Sequence, residues 1–164
     1  EKEYDVILIS RFTVARKGVD RYKTLLSNMA PGLKVCLVGE GASDLIAELG
    51  QRREVSIDWY DQLPHSDLLS KIRLSALLVN CSLHESYCIT LVEALACKCK
   101  VLTTPVGIGK YLASISQNAR CIPWDPTQFY ENMEIVLRTD FVSEPFDFTW
   151  ESVLEKSQVL LEAR

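Results

Sequence analysis

Ala76-Leu77-Leu78-Val79-Asn80, followed after three residues by His84-Glu85-Ser86-Tyr87-Cys88-Ile89-Thr90-Leu91-Val92-Glu93-Ala94-Leu95-Ala96, is the stretch on which the fold turns. A short apolar run bounded by polar residues predicts a buried strand, and the apolar spacing after it predicts a helix over 90–96. Glu85 then lies at the carboxyl end of the strand. Glu93 lies about 12 Å further along, two turns into the helix. Open α/β sheets bind ligands at such junctions, where the free N–H groups of the helix attract a phosphate. The spacing points to a ligand with a phosphate in the middle and hydroxyls at both ends.

Similar apolar runs occur on either side of this stretch. They predict strands at 5–10, 34–38, 55–59, 76–81, 100–104 and 120–122. Helical patterns fall between them at 19–29, stopped by Pro31-Gly32, at 43–49 with Ser43 as N-cap, and at 66–74 after Pro64. A further helix is expected at 126–138, with Asp125 as cap and Pro126 at its first position, and a last one at 149–162 capped by Thr149. Strands this apolar, alternating with helices, require a parallel sheet covered on both faces. The expected architecture is a three-layer, Rossmann-like α/β domain with a six-stranded parallel sheet.

The chain has 164 residues, 48% of them apolar, which is enough for one domain with a full core. A net charge of -4 and a pI near 5.3 argue against nucleic acid, which needs clustered cations. The six cysteines lie in or beside apolar runs with no Cys-x-x-Cys, and read as reduced core thiols of a cytosolic protein. Cys97-Lys98-Cys99 with His84 is poor metal-ligand spacing, so no metal is expected. No apolar run reaches the ~18 residues of a membrane span. The opening Glu1-Lys2-Glu3 does not resemble a signal peptide. The expected location is the cytoplasm.

Three more loops fall on the carboxyl edge of the expected sheet. The loop after the first strand, Ser10 to Gly18, offers Arg11 and Lys17. Val38-Gly39-Glu40-Gly41 follows the second strand, and its small residues allow close approach of a ligand to the backbone. Thr104-Pro105-Val106-Gly107-Ile108-Gly109 follows the fifth. The G-x-G-x-x-G fingerprint is absent after the first strand, which argues against dinucleotide binding of the usual kind. Each of these groups also has a plain reading, as solvated charges or turn glycines. His84 and His65 read more readily as neighbours than as catalysts.

Taken together, the residues resemble the C-terminal, donor-binding domain of retaining glycosyltransferases with two Rossmann-like domains (GT-B type, glycosyl transferases group 1, family 4-like). The matching pieces are Arg11 with Lys17-Gly18, Val38 to Gly41, Glu85 and Glu93 followed by Ala94 and Ala96, and Trp150-Glu151. They cover nearly the whole chain in order.

The resemblance implies a nucleoside diphosphate sugar as donor substrate, with no cofactor. Arg11 and Lys17 would hold the diphosphate, together with the helix start at Ser86, Tyr87, Cys88 and Ile89. Glu85 would reach the sugar hydroxyls, Glu93 the ribose hydroxyls, and Gly39 and Gly41 would border the nucleotide. Trp59 and Tyr60 lie near the base position. The resemblance also implies a missing N-terminal domain that carries the acceptor (a glycan, lipid or small molecule) and supplies any peripheral contact with a membrane. On this reading residues 1–164 are one half of a larger enzyme and inactive alone.

The family often has Gly-x-Gly where this chain has Ser86-Tyr87-Cys88, a small-residue turn where it has Cys97-Lys98-Cys99, and a glutamate near Lys110. The alternatives are half of a nucleotide-sugar epimerase and a non-catalytic nucleotide-sugar-binding module. A phospho-receiver module fits poorly, because the first strand ends in Ser10-Arg11 rather than in acidic residues.

Overall fold

The computed structural model describes residues 1–50 and 54–143. The expected helix at 149–162 and the Trp150-Glu151 motif lie outside the described residues. The strands β1 (Tyr4–Ile9), β2 (Lys34–Val38), β3 (Ser56–Tyr60), β4 (Ser75–Asn80), β5 (Lys100–Thr103) and β6 (Ala119–Cys121) form one sheet in the order β3-β2-β1-β4-β5-β6. Every neighbouring pair is parallel, with Val6 beside both Val35 and Leu77.

Among the described residues six α-helices cover the sheet: α1 (Val19–Ser27), α2 (Ala42–Leu49), α3 (His65–Arg73), α4 (Ile89–Ala96), α5 (Gly109–Ile115) and α6 (Pro126–Arg138). Alternate strand residues point to opposite faces. Val6, Leu8, Leu37 and Val79 therefore pack with Tyr22 and Leu26 of α1, Leu45 of α2 and Phe129 of α6. On the other face Ile7, Val38, Leu78 and Val101 pack with Ile72 of α3, Leu91 and Leu95 of α4, and Leu112 of α5. The central strands are buried on both faces, which is why they read as unbroken apolar runs.

One expectation at a helix end is corrected, and one helix appears that the sequence did not predict. Ser43 is not the cap of α2, because the helix already begins at Ala42 after Gly41 in the left-handed conformation (φ 85°). The Ser43 N–H instead donates to Asp61 Oδ1 at 3.0 Å, so a carboxylate from the loop after β3 does the capping. Helix α5 was not expected from the sequence, since its seven residues begin between Gly107 and Lys110 in what reads as a loop. Asp125 does cap α6, accepting from the Gln128 N–H at 2.8 Å.

Candidate functional site

The chain leaves β1 for helices on one face of the sheet and leaves β4 for helices on the other. A crevice therefore opens at the carboxyl ends of these two adjacent strands. It holds a cavity of about 430 Å³, lined by Ser10, Arg11, Lys17, Gly39, Glu85 and Cys88, with Gln62, Leu63, Leu68 and Thr90 completing the wall.

Backbone geometry brings these groups together. The Ser10 N–H donates to Val38 O at 3.1 Å and the Phe12 N–H to Glu40 O at 2.8 Å, which ties the loop after β1 to the loop after β2. Gly39 sits between them at φ 135°, and a Cβ there would lie 1.8 Å from Ser10 O. A 3-10 turn over Ala15–Lys17 lets Arg16 O accept from both Leu83 N–H and His84 N–H at 3.1 Å, so Lys17 is delivered beside the loop after β4.

Lys17 Nζ meets Glu85 Oε2 at 2.6 Å, a charge-assisted bond between two largely buried side chains. The other oxygen, Oε1, accepts from Ser82 Oγ at 2.8 Å. Ser82 is in turn anchored through its carbonyl, which accepts from Thr104 Oγ1 at 2.7 Å. Behind it, buried Asn80 joins Tyr22 OH (3.1 Å) and Thr103 Oγ1 (3.0 Å), fixing the end of β4 against α1 and β5. Arg11 is exposed and makes no ion pair among the described residues, so the cavity carries an uncommitted positive charge.

Cys88 is the residue before α4 and adopts φ 69°, ψ 66°, a conformation that suits glycine. The helix start nevertheless faces the cavity at Cys88 and Thr90. The first N–H groups of a helix lack intrahelical partners and, with the helix dipole, favour an anion. Burial pushes the Cys88 thiol up to about 11, with Glu85 adding to the rise and a bond to Thr90 and the charge of Lys17 opposing it. The thiol is therefore a poor nucleophile at neutral pH.

Gly41, Tyr60, Ser86, Tyr87, Ile89 and Glu93 are not among the residues lining this cavity. Gly41 borders a separate cleft of about 140 Å³ with Thr13 and Lys23. Tyr60 packs on the core, with Lys71 Nζ 5.0 Å from its ring. Ser86 and Ile89 are exposed. The Tyr87 carbonyl accepts from the Ile108 N–H at 2.8 Å and thereby ties the loop to α5. Burial, aided by nearby Tyr111, raises the Tyr87 phenol above its ordinary value. Lys110 is exposed in the first turn of α5.

Glu93 stands about one turn into α4, not two as expected, because the helix begins at Ile89, and its Oε1 is 2.7 Å from His65 Nε2 at the start of α3. Sequence reasoning passed over Ser82 and read His65 only as a neighbour. Ser82 sits three residues before Glu85 in one loop and could have been suspected from that, whereas the partner of His65 is 28 positions away. Among the described residues no group of three or more His, Cys, Asp or Glu side chains converges on a metal position, and no helix is long and apolar enough to cross a membrane.

Among known proteins, the chain is 30% identical over 108 residues to a human component of phosphatidylinositol N-acetylglucosaminyltransferase, a match covering 62% of this chain and 22% of that protein. The WaaG glycosyltransferase of lipopolysaccharide biosynthesis superposes with a TM-score of 0.61 at 25% identity, over 85% of this chain and 39% of that one. HepE of Anabaena, solved in complex with UDP-glucose, shares the fold with a TM-score of 0.64 at 18% identity, over 83% of this chain and 40% of its own. The chain thus spans well under half the length of these proteins. Because the model of the family "Glycosyl transferases group 1" matches residues 1–140, which hold all six strands of the described residues and every group at the β1–β4 crevice, the chain belongs to that family.

Proposed function

We propose that this domain binds a nucleoside diphosphate sugar and serves, with a second domain that carries the acceptor, in metal-independent glycosyl transfer with retention. The observation that carries the reading is the convergence of Arg11, Lys17 and Glu85 on one cavity at the start of α4. The UDP-glucose bound by HepE supports the choice of ligand class. Retention and cytoplasmic placement rest on the family resemblance.

The chemistry follows from charge. As the bond from the anomeric carbon to the diphosphate breaks, negative charge grows on the leaving group. Cations that meet it lower the barrier if they hold that charge better than the ground-state charge. Arg11 and the N–H groups of α4 take the phosphates, and Lys17 turns from Glu85 to join them. Glu85 is then released on one oxygen to accept from sugar hydroxyls while Ser82 keeps the other in place. Glu93, a carboxylate able only to accept, suits the vicinal hydroxyls of the ribose.

Titration of the chain with UDP, GDP and ADP, followed by calorimetry, tests the reading. At least one should bind with Kd on the order of 1 mM, weak because half the cleft is missing, and no transfer should occur without the second domain. A folded sample that binds none of them at millimolar concentration overturns the donor-site assignment. Glu93→Ala should weaken the nucleoside diphosphate more than inorganic diphosphate, and equal losses would contradict the ribose role.

A further inference from the structure

We propose that His65 is a positioning residue for Glu93, and through it sets how strongly this domain discriminates a ribose from other groups attached to the diphosphate. The inference rests on the donor-site reading above. Glu93 is 18% exposed and has one oxygen, Oε1, fixed at 2.7 Å by His65 Nε2. Its second oxygen makes no hydrogen bond among the described residues. An ionised carboxylate is acceptor-only, so His65 must present Nε2–H to it.

The two residues belong to the two helices that wall the cavity. His65 opens α3 between Leu63 and Leu68, and Glu93 stands one turn after Thr90 on α4, and those three neighbours all line the cavity. A glutamate on a helix has three rotatable side-chain bonds, and holding one oxygen removes most of that freedom before a ligand arrives. What remains is a carboxylate held in one orientation, with Oε2 and the second lone pair of Oε1 open to accept from a hydroxyl pair. The diphosphate contacts come from Arg11, Lys17 and α4 and do not involve His65. Its effect should therefore be confined to the nucleoside end of the ligand.

The test is a double-mutant cycle read on two probes, UDP and inorganic diphosphate, using the full 164-residue chain. His65→Ala should weaken UDP about fivefold, the size of one hydrogen bond, and leave inorganic diphosphate unchanged. His65→Gln, whose amide N–H reaches the same oxygen, should restore UDP affinity. In a Glu93→Ala background His65→Ala should have no further effect. Equal losses for both probes, failure of the glutamine variant to rescue a folded protein, or an undiminished loss in the Glu93→Ala background each overturn the positioning role. If Glu93→Ala weakens UDP while His65→Ala does not, only this inference falls. If the wild-type chain binds neither probe, the donor-site reading falls and carries this one with it.

Discussion

Cys88 occupies a backbone conformation that its own side chain resists, and the resistance is measurable. At φ 69° a Cβ crowds the following carbonyl, a strain of roughly 1–2 kcal/mol that glycine avoids. Cys88→Gly should keep stability within about 1 kcal/mol, since relief of strain offsets the lost packing and the greater freedom of the unfolded chain. Cys88→Val adds a branched carbon at the same φ and should lower stability by about 2 kcal/mol. Urea denaturation midpoints separate the two. The same thiol, held at about 11 by burial, should be alkylated slowly at pH 8 and about tenfold faster per pH unit up to that value. Mass spectrometry of the labelled peptide reads the rate, and fast labelling at pH 8 would refute the buried, protonated thiol.

The site was legible in the sequence to the extent that its members announce themselves by type and by place. Arg11, Lys17, Gly39 and Glu85 each sit just past a strand end, and parallel topology alone brings strand ends to one edge. The Lys17–Glu85 pair and the His65–Glu93 pair were not legible, because they depend on how segments 68 and 28 residues apart in sequence meet in space.

Strand positions were readable because β1, β2, β4 and β5 are largely buried and apolar through their middles, with polar residues such as Asp5, Lys34, Ser75 and Lys100 near their ends. Helix α5 was not, because it is short and starts at a glycine whose added Cβ would press on Thr103 Cγ2 at 2.8 Å. Tertiary crowding sets that residue, and its period leaves little trace. The turn between β2 and α2 makes the same point with a testable consequence. An alanine Cβ at Gly39 would fall 1.8 Å from Ser10 O, so two backbone segments must separate to admit it. Gly39→Ala should cost on the order of 3 kcal/mol, measurable as a shift of the thermal midpoint, and should also open the cavity wall. At the start of α6 Asp125→Ala removes the oxygen that accepts from the Gln128 N–H and should cost about 1 kcal/mol. Because no residue of α6 lines the crevice, that variant should bind nucleotide as well as the parent does, which makes it a control for stability loss alone.

Across the chain, the proposed donor site would link folding to ligand binding through Lys17. With no ligand, Lys17 neutralises Glu85, a carboxylate only 13% exposed. Removing the cation strands that charge beside a single hydroxyl donor, so Lys17→Met should lower stability by about 1–2 kcal/mol. On the proposed donor-site reading, the same cation would pass to the phosphates when a nucleoside diphosphate binds. A ligand that binds only the folded state stabilises it by RT ln(1 + [L]/Kd), about 1.4 kcal/mol at ten times Kd. For a chain of this size that raises Tm by roughly 3–6 °C. In Lys17→Met the rise, measured at the same UDP concentration, should shrink to under about 1 °C, because Arg11 and the α4 N–H groups alone hold the diphosphate weakly. Lys17→Arg keeps the charge and should recover part of the rise. A Lys17→Met protein that still gains the full shift would mean that the phosphates bind elsewhere, and that the Lys17–Glu85 pair is a structural contact of the β1 and β4 loops with no part in ligand capture.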